Sequence, residues 1–191
     1  MQYDRTSYLE ALEGLMREIN DSFPQLKTPV EAYICGGAAV MFWVESARIS
    51  MDVDAFFSHT FVPPQNLQTT FEDLEGEPLV LDFDYNFNQN FSLLHPDYAA
   101  DAHCIKEFSN LKVTVLSPQD VAVMKLSRFT QGDREDIKAL ITAGCLDDAE
   151  QFRKRAMEAL DYYVGKPDFI LYAINDVCGW IEDARPSFSP E

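Results

Sequence analysis

Apolar residues recur along the chain with two different periods, and the switches between them outline its elements. Tyr8, Leu12, Leu15, Met16 and Ile19 return at helical spacing. Ser7 followed by Glu10 has the form of a capping box, so the pattern predicts a helix from about Ser7 that ends before Phe23-Pro24. The short apolar run Val30 to Cys35 reads as a strand, Gly36-Gly37 as a turn, and Ala38 to Val44 as a short buried helix. From Arg48 the period becomes two. Ile49, Met51, Val53 and Ala55 alternate with Ser50, Asp52 and Asp54, which predicts a strand with the aspartates on one face.

Pro63-Pro64 is expected to open a helix carrying Leu67, Phe71 and Leu74, and Leu79 to Phe83 to form a strand. Asn86 to Tyr98 has no period that assigns it. His103 to Phe108 and Leu111 to Leu116 read as two strands around Ser109-Asn110. The remainder is helical. Ser117-Pro118 offers an N-cap and a first-turn proline, with Val121, Met124 and Leu126 as anchors. Further helices carry Ile137, Leu140 and Ile141 as far as Gly144, then run from Asp147-Asp148, then from Pro167. The expected fold is α+β: an α/β core with a mixed sheet over residues 1–116, and a helical region over 117–191 packed on it.

Composition narrows the partners. The chain has 191 residues, 47% hydrophobic and 13% aromatic, enough for a packed core. Its formal net charge is -17, which repels phosphate backbones and disfavours both non-specific nucleic-acid binding and docking on an anionic membrane. A basic protein partner is compatible with that charge, as is a phosphorylated ligand held with a metal ion. Cys35, Cys104, Cys145 and Cys178 form no CxxC pair. The start, Met1-Gln2-Tyr3-Asp4-Arg5, shows no apolar signal core, and a cytoplasmic location is expected.

The candidate chemistry lies in Gly36-Gly37 and, fifteen positions after Gly37, Asp52-Val53-Asp54. A strand ending in two glycines lets backbone N–H groups approach a phosphate, and the helix that follows adds its positive N-terminal end. Two aspartates at i and i+2 of a strand share a face. Their repulsion is relieved by a cation, and Mg2+ favours carboxylate, phosphate and water oxygens. Metal ions placed so can activate a hydroxyl and stabilise a leaving pyrophosphate. Lys125 and Arg128 are three apart, and would share a helix face where they could steady phosphate oxygens. Asp133 and Asp136, one helical turn apart, could orient Lys125 or Arg134. The alternative for this group is an ordinary surface ion-pair network.

Gly36-Gly37 followed by Arg48-Ile49-Ser50-Met51-Asp52-Val53-Asp54 resembles the signature of the nucleotidyltransferase superfamily of DNA polymerase beta-like enzymes. More narrowly it resembles the AbiEii-type branch of abortive-infection and toxin–antitoxin systems. Leu116-Ser117-Pro118-Gln119-Asp120 with Lys125-Leu126, and Arg128 with Gly132-Asp133-Arg134-Glu135-Asp136-Ile137 and Leu140, resemble two further motifs of that branch. The blocks cover roughly residues 30 to 141.

The resemblance implies Asp52 and Asp54 as catalytic, Mg2+-binding carboxylates, with Gly36, Gly37, Arg48, Lys125, Arg128, Asp133 and Asp136 around a nucleoside triphosphate. It implies transfer of a nucleotidyl group to a hydroxyl of RNA, protein or a small molecule, and an antitoxin-like protein partner. Active members add a third carboxylate as general base. Asp82 and Asp84 could supply it from one face of their strand. The stretch Leu111 to Leu116 carries none, so if that strand adjoins the Asp52/Asp54 pair the third carboxylate is missing. The chain would then be a nucleotide-binding or regulatory module. Two further expectations complete the reading: the aromatic cluster Phe83, Tyr85, Phe87 and Phe91 either stacks a base or packs a core or lid, and His59, His95 and His103 form no metal-ligand spacing.

Overall fold

The computed structural model describes residues 3–184. Residues 1–2 and 185–191, including the Met1-Gln2 start and the end of the 117–191 region, lie outside the described residues. The first helix, α1 (Arg5–Ser22), buries Tyr8, Leu12, Leu15, Met16 and Ile19 as the period requires. It starts two residues earlier than its expected capping box. Asp4 is the N-cap and accepts from the Ser7 N–H, while the Ser7 hydroxyl accepts instead from the Glu72 N–H at 2.9 Å.

Strand β1 (Val30–Cys35) leads into α2 (Gly36–Trp43), so the two glycines are the first residues of the helix rather than a separate turn. Strand β2 spans Asp52–Phe57 only, and Arg48 to Met51 form an irregular approach to it. The helix expected after Pro63-Pro64 is instead strand β3 (Gln68–Glu72), antiparallel to β4 (Pro78–Phe83). Leu67 and Phe71 satisfy helical spacing and strand alternation equally, and the alternation prevails. Both are buried with Gln68, Thr70 and Glu72 exposed, and Leu74, the third residue of the helical reading, lies in solvent. The unassigned segment holds a 3-10 turn (Gln89–Phe91) and the short helix α3 (Tyr98–Asp101).

Strands β5 (His103–Glu107) and β6 (Leu111–Val115) form a hairpin with a register shift between Cys104 and Lys106. The sheet order is β3-β4-β2-β1-β6-β5. Strand β1 is antiparallel to β2 and parallel to β6, and β2 is parallel to β4. The fold is therefore α+β with a six-stranded mixed sheet.

The helices that follow are α4 (Pro118–Lys125), α5 (Gln131–Thr142), α6 (Ala149–Leu160) and α7 (Asp168–Ala184). Ser117, Thr130 and Asp148 cap the first three, Thr130 in a full capping box with Asp133. Helices α4 and α5 rest on α2, and one continuous hydrophobic core runs from Tyr8 of α1 to Ile181 of α7. No helix among the described residues is long and apolar enough to cross a membrane.

Candidate functional site

The backbone brings the glycine bend and the carboxylates together. Cys35, the last residue of β1, is the cross-strand partner of Asp54, so the chain enters α2 beside the Asp54 side chain. Gly36 has φ of 61°, the left-handed region that favours glycine. A Cβ there would collide with the Asp54 carboxylate, whose carbon lies 2.8 Å from where that atom would be. A Cβ on Gly37 would run into the Ser50 hydroxyl. Close approach thus requires both glycines, and at Gly36 the backbone angle adds to it. Cys35, at the N-cap, gives no side-chain hydrogen bond to the first turn of α2, so those N–H groups face the bend without a side-chain cap.

The strand adjoining β2 is β4, and β6 lies on the far side of β1. The strand without carboxylates is therefore not the neighbour of the Asp52/Asp54 pair. Asp52 is paired in register with Asp82, and the Asp84 N–H donates to the Val53 carbonyl at 3.1 Å, which continues the parallel ladder and sets Asp84 beside Asp54.

The four aspartates are not equivalent. Asp54 and Asp84 line a cleft of about 260 Å³, whereas Asp52 and Asp82 are exposed and lie outside it. Burial and the neighbouring Asp84 carboxylate push the Asp54 carboxyl up from 3.8 to about 6, against the pull of Arg128 and Lys125. Asp52 adds a smaller push in the same direction. Asp84 accepts the Asn86 N–H at 2.8 Å, which fixes one of its oxygens.

The opposite wall carries cations. Lys125, at the end of α4, is buried, and its Nζ lies 2.7 Å from Asp136 Oδ2 and 3.5 Å from Asp133 Oδ1. Arg128 lies beyond the end of α4 rather than on its face; it pairs with Asp133 at 3.0 Å and keeps most of its side chain exposed. Arg48 pairs with Asp136 at 2.8 Å and packs over Gly132. Asp133 and Asp136 are each 1% exposed, so the network has a buried centre with Lys125, while Arg48 and Arg128 reach solvent. Asp133 is held below the usual carboxylate range. Burial opposes its charge, but the Thr130 hydroxyl, Lys125, the Thr130 N–H and Arg128 together outweigh that. Arg134 is outside the network, stacked over the Phe129 ring.

Neutral groups form the third wall: Asn86, Phe87, Asn88 and Ser92, with Met124 and Ser127 from the α4 side. Of these the sequence offers only Phe87 as a ligand contact, and Met124 as a helix anchor. The segment has no apolar period, and its placement follows from the short loop that Asp84 begins. Ser50, which covers Gly37, has no role of its own in the sequence beyond its place in the alternation and in the Arg48 to Asp54 motif.

Other candidates are structural. Asp120 is fully buried and accepts two hydrogen bonds from Arg155, at 2.9 and 2.8 Å, and one from Ser117. It sits beside a second cleft of about 430 Å³ between α4 and α6, away from the glycine bend. His95 is buried against Glu158, and Trp43 donates to the Leu116 carbonyl.

Two comparisons bear on this arrangement. No curated protein matches the chain. A family described as "Nucleotidyltransferase of unknown function (DUF6036)" matches residues 10–180, which include every residue of the bend, the carboxylates and the cation network. The chain belongs to that family, and so to the nucleotidyltransferase superfamily.

Proposed function

We propose that the protein is a Mg2+-dependent nucleotidyltransferase that moves a nucleoside monophosphate from a nucleoside triphosphate to an acceptor hydroxyl. The observation that carries this reading is the Asp54 carboxylate. It is wedged between Gly36 and Asp84, has no ion-pair partner among the described residues, and has its acidity weakened by burial and by that neighbour. A cation relieves such a pair.

The donor set fits Mg2+. It consists of carboxylate oxygens only, and Mg2+ is commonly held by one or two carboxylates with phosphate and water completing the shell. Among the described residues no three His, Cys, Asp or Glu side chains form a ready metal-binding group, so the substrate's phosphates would complete it. Asp54 and Asp84 would hold the ion, with Asp52 at the mouth. When bound, it supplies charge neutralisation for the reacting phosphates.

This chain's own residues do the rest. The first-turn N–H groups of α2 receive phosphate oxygens at the glycine bend. Arg128, with its exposed guanidinium, neutralises the departing end. Lys125, Asp133, Asp136 and Arg48 hold the cationic wall in place. The acceptor oxygen attacks the α-phosphorus, and the bond from that phosphorus to the oxygen bridging the β-phosphate breaks. Pyrophosphate leaves, and the hydroxyl proton passes to Asp84, the carboxylate after β4 that lines the cleft.

The motif blocks around Asp52/Asp54, Lys125 and Asp133/Asp136 support placement in the AbiEii-type branch, with a toxin or phage-defence role in the cytoplasm. The charge of -17 suits a basic antitoxin-like partner. A second reading, a nucleotide-binding module without turnover, is favoured by two observations: Lys125 Nζ is committed to two carboxylates, and Asp52 stands outside the cleft.

The test is label transfer. The protein is incubated with each α-labelled nucleoside triphosphate, Mg2+, and RNA, protein or small-molecule acceptors. Transfer that disappears in Asp54→Ala supports the enzyme. Metal-dependent binding without transfer supports the module, and no binding contradicts both.

A further inference from the structure

Two of the sequence's clustered aromatic residues have structural partners. Phe83 and Tyr85 meet edge to face at 5.2 Å. The Tyr85 hydroxyl donates to the Pro64 carbonyl at 2.6 Å and accepts from the Leu67 N–H. The Phe91 side chain lies outside the described part of the structure. Phe87 differs from the first two: it rests on the core at one side, lines the cleft at the other, and makes no ring pair among the described residues.

Its neighbours have matching chemistry. Asn86 and Asn88 flank it on the same wall, with Ser92 beyond. The Asn86 backbone is tied to Asp84, and Asn88 Oδ1 accepts from the Asn90 N–H at 3.0 Å, so the loop is pinned at both points. The Asn86 side-chain amide has no partner among the described residues. One wall of the cleft is thus acidic, one cationic, and this one neutral, with a flat ring between two amides. A ring between uncharged amides suits a planar heteroaromatic group: the ring offers a stacking face, and the amides offer both donors and acceptors to a base edge.

We infer that the loop from Asn86 to Ser92 is the nucleobase-reading wall of the site, with Phe87 as the stacking platform and Asn86 as the group that reads the base edge. This rests on the nucleotidyltransferase reading above. The base belongs either to the triphosphate or to a nucleotide acceptor, and the test separates these.

The full chain is titrated calorimetrically with ATP, GTP, CTP, UTP and inorganic tripolyphosphate, each with Mg2+. Phe87→Ala is expected to weaken the nucleoside triphosphates about tenfold and leave tripolyphosphate unchanged. Phe87→Tyr, which keeps the ring, restores affinity, and Asn86→Ala alters the ranking of the four bases. If Phe87→Ala spares triphosphate binding but weakens a nucleoside monophosphate added after saturation with a non-hydrolysable triphosphate, the base is the acceptor's and the inference stands. Triphosphates and monophosphates that both bind independently of Phe87 overturn it while leaving the enzyme reading intact. Wild-type protein that binds neither a triphosphate nor tripolyphosphate overturns both.

Discussion

Replacing Asp54 by asparagine should make the metal-free protein more stable while removing its response to Mg2+ and nucleotide. The Asp54 carboxyl titrates near 6 in the fold against 3.8 ordinarily. A raised carboxyl contributes stability that is fully present below about pH 4, fades as pH rises through about 6, and is absent above. At roughly 1.36 kcal/mol per unit the shift amounts to about 3 kcal/mol for a group cut off from water. Asp54 is only partly buried and faces an open cleft, so screening reduces this to about 1–2 kcal/mol. Asparagine has the same shape and no charge. In urea titrations with a chelator present, the variant's advantage should be near zero at pH 4 and reach about 1–2 kcal/mol by pH 7.5. That is about 2–8 °C in melting temperature for a chain of this size. Added Mg2+ and nucleoside triphosphate should then stabilise the wild type and not the variant. An Asp54→Asn protein no more stable than wild type at pH 7.5, or an advantage that does not change with pH, would refute the reasoning.

Gly36→Ala should cost about 1–2 kcal/mol from its left-handed φ and, by displacing the Asp54 carboxylate, weaken Mg2+-dependent nucleotide binding about tenfold or more; unchanged urea stability together with unchanged binding contradicts this. Asp120→Ala should destabilise by about 3–5 kcal/mol, since it strips Arg155 of two hydrogen bonds at a fully buried site, yet spare nucleotide affinity measured well below the melting temperature. Loss of affinity in a folded Asp120→Ala protein would bring the cleft beside Arg155 into the chemistry.

What could be read from the sequence was local. Gly36-Gly37, the alternation through Asp54, the cap at Ser117 and the helix start at Asp147-Asp148 are decided within a few residues, so the strand, the bend and these helices could be anticipated. The misreadings have local causes as well. Leu67 and Phe71 fit two periods at once, and Asp4 competed with Ser7 for the same cap. Strand order could not be read, because it depends on contacts between distant segments. Only the pairing of β2 with β4 shows that Asp84, and not the carboxylate-free β6, stands beside Asp54. The neutral wall around Phe87 was hidden for a related reason: an irregular loop has no period to reveal which side chains face the cleft.

The central claim places a divalent cation at Asp54 beside the glycine bend. A crystal grown with Mn2+ and a non-hydrolysable nucleoside triphosphate tests it directly through the anomalous signal of the metal. The account predicts a peak within coordination distance of the Asp54 and Asp84 carboxylates, with phosphates at the first turn of α2. Metal and phosphates bound elsewhere, such as the cleft beside Arg155, would contradict it.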